Sequence, residues 1–325
     1  MKNVLKLNKF LFLLTFSFFI ISCDNDDDAQ TMPEELTIVE TAAATPELSI
    51  LVEALTVADG DLVTTLSGGN FTVLAPTNEA FAAFLSANGF ASLDEVPTDV
   101  LSNILLNHVI TGSVMSTDLA SAGSGYTTTN ATNMDGDNLS LYFSTSSGVE
   151  FNGQSSVVSA DVSASNGIVH VVDAVIGLPT VVTFATSNPT FETLVAALTR
   201  EDLGQDFVSM LSTTEEPSPF TVFAPTNDAF ASLLSELGVD SLGDIDAATL
   251  ELTLGTHVVV EANVRSGDLT NGMNITTIGD GLTVSLDAGP QLIDLNDRIA
   301  NIIAVDVQAY NGVVHVIDKV VLPQL

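Results

Sequence analysis

Basic residues are almost missing from this chain. Of 325 residues, 7 are Lys or Arg against 41 Asp or Glu, a formal net charge of −34. Lys2, Lys6 and Lys9 fall in the first nine positions, and no Lys or Arg occurs from Asp24 to Thr199. Beyond residue 22, Arg200, Arg265, Arg298 and Lys319 face all the acids, so 4 − 41 = −37. Such a surface repels phosphate backbones, which excludes nucleic acid as a partner. It also repels anionic lipid headgroups, so membrane attachment must rest on something other than charge. The acids are scattered, which fits solubility in a salty exterior where screening acts over about 8 Å. Divalent-cation binding is the sharper alternative. Cysteine is represented by Cys23 alone, which leaves no intramolecular disulfide. Trp is absent and Tyr is limited to Tyr126, Tyr142 and Tyr310, so a sugar-stacking platform is poorly supplied. There is no Gly-x-Ser-x-Gly elbow, no phosphate loop and no Cys paired with His. The chain is therefore expected to be no enzyme and to carry no cofactor. What it has in quantity is hydrophobic residues, 46%, enough for packed cores in two ordinary domains.

The N-terminus reads as an address. Three lysines precede an apolar run over 10–21, too short for a normal membrane span. It closes on Ile20-Ile21-Ser22-Cys23, which resembles a bacterial lipobox and makes Cys23 the expected lipid attachment point. Asp24-Asn25-Asp26-Asp27-Asp28 follows, similar to the surface-export signal of lipoproteins of the Bacteroidetes group. The expectation is a signal peptide over 1–22, an acidic flexible tether over 23–33, and an outer-membrane protein facing outside.

The remainder is written twice. FTVLAPTNEAF at 71–81 returns as FTVFAPTNDAF at 220–230, identical at 9 of 11 positions. Each copy reads as a buried strand stopped by Pro76 or Pro225, then a helix capped by Thr77-Asn78 or Thr226-Asn227. Upstream, Leu48, Leu51, Val52 and Leu55 keep helical spacing, as do Phe191, Leu194, Val195 and Leu198. A short second helix carries Leu62, Val63 and Leu66, matched by Phe207, Val208 and Leu211. From Leu55 to Phe71 is 16 positions and from Leu198 to Phe220 is 22, which assigns six extra residues to the 212–219 loop. Downstream, Leu101, Ile104, Leu105 and His108 match Leu250, Thr253, Leu254 and His257. A β-rich half follows, with alternation at Leu139, Leu141 and Phe143 and at Leu282, Val284 and Leu286. Hairpins are predicted over 157–176 about Asn166-Gly167 and over 302–321 about Asn311-Gly312. A short join at 180–186 predicts two domains that touch, 34–179 and 180–325.

The two corner motifs, a mid-domain [NT]-H-V and a closing N-G-[IV]-V-H-V-[VI]-D together resemble the fasciclin (FAS1) domain family. The resemblance covers nearly everything after residue 34. It implies an α+β fold, with two tandem domains, each a helical first half packed on a β-sandwich-like wedge. It also implies a non-catalytic cell-surface adhesion or matrix-binding role. Animal members carry a Tyr-His pair linked to integrin binding where this chain has Asn107-His108 and Thr256-His257. Their short acidic–aliphatic peptides have their nearest matches in Asp99-Val100 and Asp244-Ile245, which do not reproduce them. Integrin binding is therefore not implied. The expected partner is a surface or matrix protein or polysaccharide; the alternative is a glycan or a small apolar ligand.

The motif residues Thr77, Asn78, Asn107, His108, His170, Asp173, Thr226, Asn227, Thr256, His257, His315 and Asp318 are the candidates, expected to be mainly structural. Each domain supplies two histidines and no cysteine, too few for zinc. The histidines lie on apolar stripes, so buried hydrogen bonds are expected, with Asp161/Asp306 and Asp173/Asp318 as partners. A pH-sensing role through these pairs is the minor alternative. Calcium has weak support from Asp135-Gly136-Asp137-Asn138 and Asp294-Leu295-Asn296-Asp297, neither of which fits an EF-hand loop. Partner contacts are expected where the copies differ: the 212–219 loop, Asn107 and Thr256, and the hairpin tips.

Overall fold

The computed structural model describes residues 35–324. The signal segment, Cys23 and the acidic tether lie outside the described residues. Residues from Glu35 onward form one compact unit, built as two copies of one plan. The first copy runs α1 (Ile38–Ala43), α2 (Ser49–Val57), α3 (Leu62–Ser67), β1 (Phe71–Pro76), α4 (Asn78–Ala87), α5 (Thr98–Leu106), β2 (Val109–Thr111) and α6 (Ser116–Ala122). Its β half follows as β3 (Ser124–Thr132), β4 (Asn138–Ser144), β5 (Glu150–Phe151), β6 (Ser155–Ala164) and β7 (Gly167–Val172). The second has α7 (Val181–Ser187), α8 (Glu192–Leu198), α9 (Phe207–Ser212), β8 (Phe220–Pro225), α10 (Asn227–Leu237), α11 (Ala247–Thr256) and β9 (Val258–Val259). It ends with β10 (Asn274–Ile275), β11 (Leu282–Ser285), β12 (Gln291–Ile293), β13 (Ile299–Ala309) and β14 (Gly312–Ile317).

The seven strands of the first domain close into a barrel, with β1 between antiparallel β2 and parallel β7. The wedge is thus a barrel where a sandwich-like arrangement was expected. Closure rests on one pair, Ile110 with Thr129. In the second domain β9 and β10 are two residues each and do not pair, so that sheet stays open in the order β10-β11-β12-β13-β14-β8-β9. The helical halves bury most of the residues their periodicity selected, leaving Val52, Val63, Val195, Leu198 and Val208 half-buried. Leu48, Leu51, Leu55, Leu66, Phe81, Leu101 and Leu105 form one core; Phe191, Leu194, Phe207, Leu211, Phe230 and Leu250 form its counterpart. Phe81 and Phe230 are each 1% exposed, and burial on that scale contributes roughly 1.5–3 kcal/mol per side chain.

Several boundaries differ from the sequence reading. The join at 180–186 is a helix, α7, capped by the Thr180 hydroxyl, so no linker separates the domains. Strands β7 and β14 stop at Val172 and Ile317, not at 176 and 321. Each ends opposite Pro76 or Pro225, where the parallel partner turns away. The six extra residues are divided. Leu55 to Leu66 is 11 positions against 13 from Leu198 to Leu211, and Leu66 to Phe71 is 5 against 9 from Leu211 to Phe220. Two therefore precede Leu211, and four fall in the 212–219 loop. That loop is fastened down: Pro217 and Pro219 carbonyls accept from Glu261 and Ala262 N–H, both at 2.9 Å. Glycine is required at 167 and 312, where φ is +147° and +151° and a Cβ would strike the carbonyl of Phe71 or Phe220.

Alternation fails on β4 for a reason outside its own domain. Ser140 and Tyr142, on its nominally polar face, are buried along with Leu139, Leu141 and Phe143. The second domain covers them. Tyr142 belongs to the second domain's core, and the Gln308 N–H donates to Ser140 Oγ at 2.9 Å. Tyr126 meets Phe184 edge-on at 5.5 Å and accepts from Asn188 Nδ2 at 3.2 Å. Burial pushes its phenol up to about 12. The Tyr310 N–H donates to Pro179 at 2.7 Å. At the rim, Arg265 reaches Asp137 at 2.8 Å. On β11, Leu286 falls beyond the strand end and is 40% exposed.

Candidate functional site

At each strand-to-helix corner the motif side chains are engaged within their own domain. Thr77 Oγ1 accepts from Ala80 N–H and Thr226 Oγ1 from Ala229 N–H, both at 3.2 Å, capping α4 and α10. Asn78 clamps the corner to the preceding helical turn, its oxygen accepting from Ile50 N–H at 2.9 Å and its nitrogen donating to Pro46 at 3.1 Å. Asn227 repeats this with Thr193 and Pro189, both at 2.9 Å.

The mid-domain pair fastens the chain's exit from each domain. His108 is 2% exposed; its Nδ1–H donates to Ile104 carbonyl at 2.8 Å and its Nε2 accepts from Ile176 N–H at 2.9 Å. His257 does the same with Thr253 at 2.7 Å and Val321 at 3.1 Å. Those bonds fix the neutral tautomer. Burial drives both rings down to about 4, against partial support for the charged form from the Ile104 and Thr253 carbonyls. Asn107 donates to Gly177 carbonyl at 2.9 Å and accepts from Thr129 Oγ1 at 3.1 Å. Thr256 bonds Leu252 carbonyl and Asp280 N–H instead, at 2.9 and 3.2 Å. Asn107 and Thr256 are both 0% exposed. Although the copies differ there, neither residue can meet a partner.

The histidines of the closing motif meet Asp161 and Asp306, two of the partners chosen from sequence, through their backbone N–H groups, with the Asp161 carboxylate 3.9 Å from His170 Nδ1, whereas Asp173 and Asp318 bond elsewhere. His170 Nε2–H donates to Val114 carbonyl at 2.9 Å, and its Nδ1 accepts from the Asp161 backbone N–H at 3.1 Å. His315 repeats this with Val264 at 2.9 Å and Asp306 N–H at 3.4 Å. Burial lowers the His315 pKa. Asp161 and Asp306 sit at bulges with φ of 58° and 57°, which turn their N–H groups to the rings. Their carboxylates accept from Ser116 and Ser266. The Ser116 bonds hold Asp161 below the usual carboxylate range. Asp173 and Asp318 face the hairpin, accepting from Ser156 N–H at 2.7 Å and Asn301 N–H at 2.8 Å. One pair of keystones escaped the sequence reading, which took Asn166 and Asn311 as turn residues. Asn166 accepts from Ile38 N–H and donates to Leu66; Asn311 accepts from Val181 N–H and donates to Leu211, so both tie hairpin to helices. Their exact repetition ahead of Gly was the available signal.

Both calcium candidates are occupied by protein donors. Asp135 and Asp137 accept from Asn263, and Asp137 also meets Arg265. Asp294 accepts from Asn296, Arg298 and Leu322 N–H groups. Among the described residues, no group of three or more His, Cys, Asp or Glu is placed to hold a metal. Several concave features occur among the described residues, of which two bear on ligand binding. An enclosed apolar cavity of about 80 Å³ lies under α7, α8 and α9, lined by Val181, Phe191, Leu194, Val208, Leu211 and Val314. An open cleft of about 530 Å³ runs along the first domain to Tyr310 of the second, past Asp59, Asp99, Leu106, Met134 and Leu178.

Comparison with known proteins finds the fasciclin domain model matching residues 46–179 and again 189–323. The chain belongs to the fasciclin domain family. It is 38% identical to protein sll1483 of Synechocystis sp. over 146 residues, 45% of this chain and 74% of that one. It is 30% identical to transforming growth factor-beta-induced protein ig-h3 of Sus scrofa over 259 residues, 78% of this chain and 35% of that one. Cell surface glycolipoprotein MPB83 of Mycobacterium bovis is 46% identical over 80 residues, 23% of this chain and 34% of that one. Among solved structures, a FAS1 domain pair from the insect cell adhesion molecule fasciclin I superimposes with a TM-score of 0.50 at 20% identity, covering 85% of this chain and 97% of that one. This chain thus spans about three quarters of sll1483 but only about a third of ig-h3. In both fasciclin domains the motif side chains are engaged in hydrogen bonds within the fold, with Asp173 and Asp318 at the surface.

Proposed function

We propose that this protein is a non-catalytic adhesion module at the cell surface, held to the outer membrane by lipid on Cys23 and facing outside the cell. The observation that carries the reading is the tandem fasciclin architecture, whose motif residues all serve the fold. The histidines use both ring nitrogens within the fold, so none is available as a general base. The resemblance of Cys23 to a lipobox supports the anchor, and likeness to a protein named a cell surface glycolipoprotein supports the location. Several acyl chains on one residue give stable anchoring, at roughly 0.8 kcal/mol per buried CH₂. The partner is a surface or matrix protein or polysaccharide.

The test is to replace Cys23 by Ser and treat intact cells with protease. The native protein should partition with membranes and be cleaved from outside, while the variant should lose membrane association. A native protein found soluble inside the cell would end this reading. The alternative role, carriage of a small apolar ligand, has the enclosed cavity of the second domain in its favour. Its volume of about 80 Å³ is smaller than the roughly 150 Å³ that holds benzene, so without parting of the helices it suits only a very small guest. A preparation that arrives free of any extractable apolar compound would count against it.

A further inference from the structure

We propose that the cleft between the two domains binds a basic segment of a partner protein, seating an arginine or lysine side chain against Tyr310 and the carboxylates of Asp59 and Asp99. The adhesive reading supplies its biological use; the site itself stands on the following geometry. The cleft is composite. One wall comes from the first domain, and Tyr310, at the β13–β14 turn, comes from the second. Its position is fixed because its N–H is bonded to Pro179 and the adjoining strand to Ser140. A volume of about 530 Å³ lies within the size of ordinary ligand sites, about 300–1,000 Å³.

The lining combines three features. Leu106, Leu178 and Met134 supply apolar contact for the methylene stem of a long basic side chain. Met134 is 81% exposed at the β3–β4 turn, an adaptable thioether left in solvent. Tyr310 places an aromatic side chain on the lining, a group that attracts cations. Asp59 and Asp99 supply charge, and no Lys, Arg or His lines the cleft.

Charge complementarity selects the occupant. A cleft of one sign focuses the field of a chain with net charge −34. No cation from within neutralises it, because all four among the described residues are engaged elsewhere. Arg200 pairs with Asp202, Arg265 with Asp137 and Asp268, and Arg298 and Lys319 with Glu236. The same fact argues against the described part of a second copy of this chain, which would bring its own negative field and, among the described residues, no basic side chain outside an ion pair. An anionic polysaccharide is repelled, and a neutral glycan would leave both carboxylates without a counter-charge.

The direct test labels the methionine methyls with carbon-13 and titrates a tetra-arginine peptide by NMR, with tetra-glutamine and a neutral oligosaccharide as controls. The Met134 resonance should move with tetra-arginine, while Met115, Met210 and Met273 stay still. Affinity should fall at least about fivefold in Asp59→Asn/Asp99→Asn and in Tyr310→Leu. The control Glu47→Gln/Glu53→Gln removes the same charge outside the cleft and should leave binding unchanged. If all three variants bind alike, the attraction is spread over the acidic surface and the site is refuted. Movement of Met134 with the oligosaccharide but not with tetra-arginine refutes it equally. Cell attachment, scored separately with the same variants, keeps the two ideas apart. Attachment lost on gene deletion with Met134 unmoved removes the cleft and leaves the adhesive reading standing. Met134 moving while deletion leaves attachment intact does the reverse.

Discussion

Acidification should weaken this protein in a specific window, through His108 and His257. Each ring is buried, accepts one backbone N–H, and is held at about 4 against an ordinary 6.5. Between those values the unfolded chain binds a proton that the folded chain refuses, so stability falls as pH drops from 6.5 and stops falling from this source near 4. At pH 5 the deficit is 1.5 pH units, on the order of 2 kcal/mol per histidine at 1.36 kcal/mol per unit. For a domain of this size that lowers Tm by about 6 °C. Neutralising carboxylates acts with the opposite sign by relieving self-repulsion, and the histidine variant controls for it because it keeps every carboxylate. The assay is thermal unfolding followed by circular dichroism from pH 7.5 to 5, for the native protein and for His108→Gln/His257→Gln. The variant should start lower, since it loses the fit of both rings, and its Tm should fall less steeply across the window, the remaining dependence coming from His315, whose pKa burial also lowers. Parallel slopes for the two proteins would refute the reasoning.

Three further outcomes test the architecture. Asn78→Ala leaves Ile50 N–H without its partner and should cost about 1–2 kcal/mol; Asn227→Ala should match it, both measured by urea unfolding. Gly167→Ala forces a Cβ against Phe71 at positive φ and should cost about 2–4 kcal/mol, with Gly312→Ala alike, read from Tm. The seam should depend on aromatic burial more than on charge. Tyr142→Ala should cost about 3 kcal/mol and split the calorimetric transition in two. Arg265→Gln, removing a half-exposed pair, should leave Tm nearly unchanged. The reverse order would show that the rim holds the domains together.

Local features carried most of the fold into the sequence. Helical stripes, the proline-stopped strands and the Asn-Gly turns are set by neighbours within a few positions. They placed Phe81, Leu101 and Leu139 correctly in the core. What escaped depends on distant parts of the chain. Ser140 and Tyr142 sit on a strand face that reads as half polar, and only the second domain's packing buries them. Helix α7 has seven residues, too few for a period to emerge, so it passed for a linker. For His170 and His315 the sequence named the right residues, Asp161 and Asp306, but not the bonding atom, because a bulge there shifts register and turns the N–H to the ring. Asn107 differs from Thr256, and variation alone made both look like contacts. Their burial is a tertiary fact. Of the candidate site, the inward residues were legible one by one, whereas the cleft was not, because Tyr310 and Asp59 meet there only through the seam.

The most direct test of the adhesive role is attachment under flow. A strain lacking the gene, the same strain restored with the native protein, and one restored with Cys23→Ser would be compared for retention on a surface coated with native extracellular matrix. The expected result is loss of retention on deletion, recovery with the native protein and no recovery with Cys23→Ser. Equal retention by all three strains would contradict a surface adhesion role.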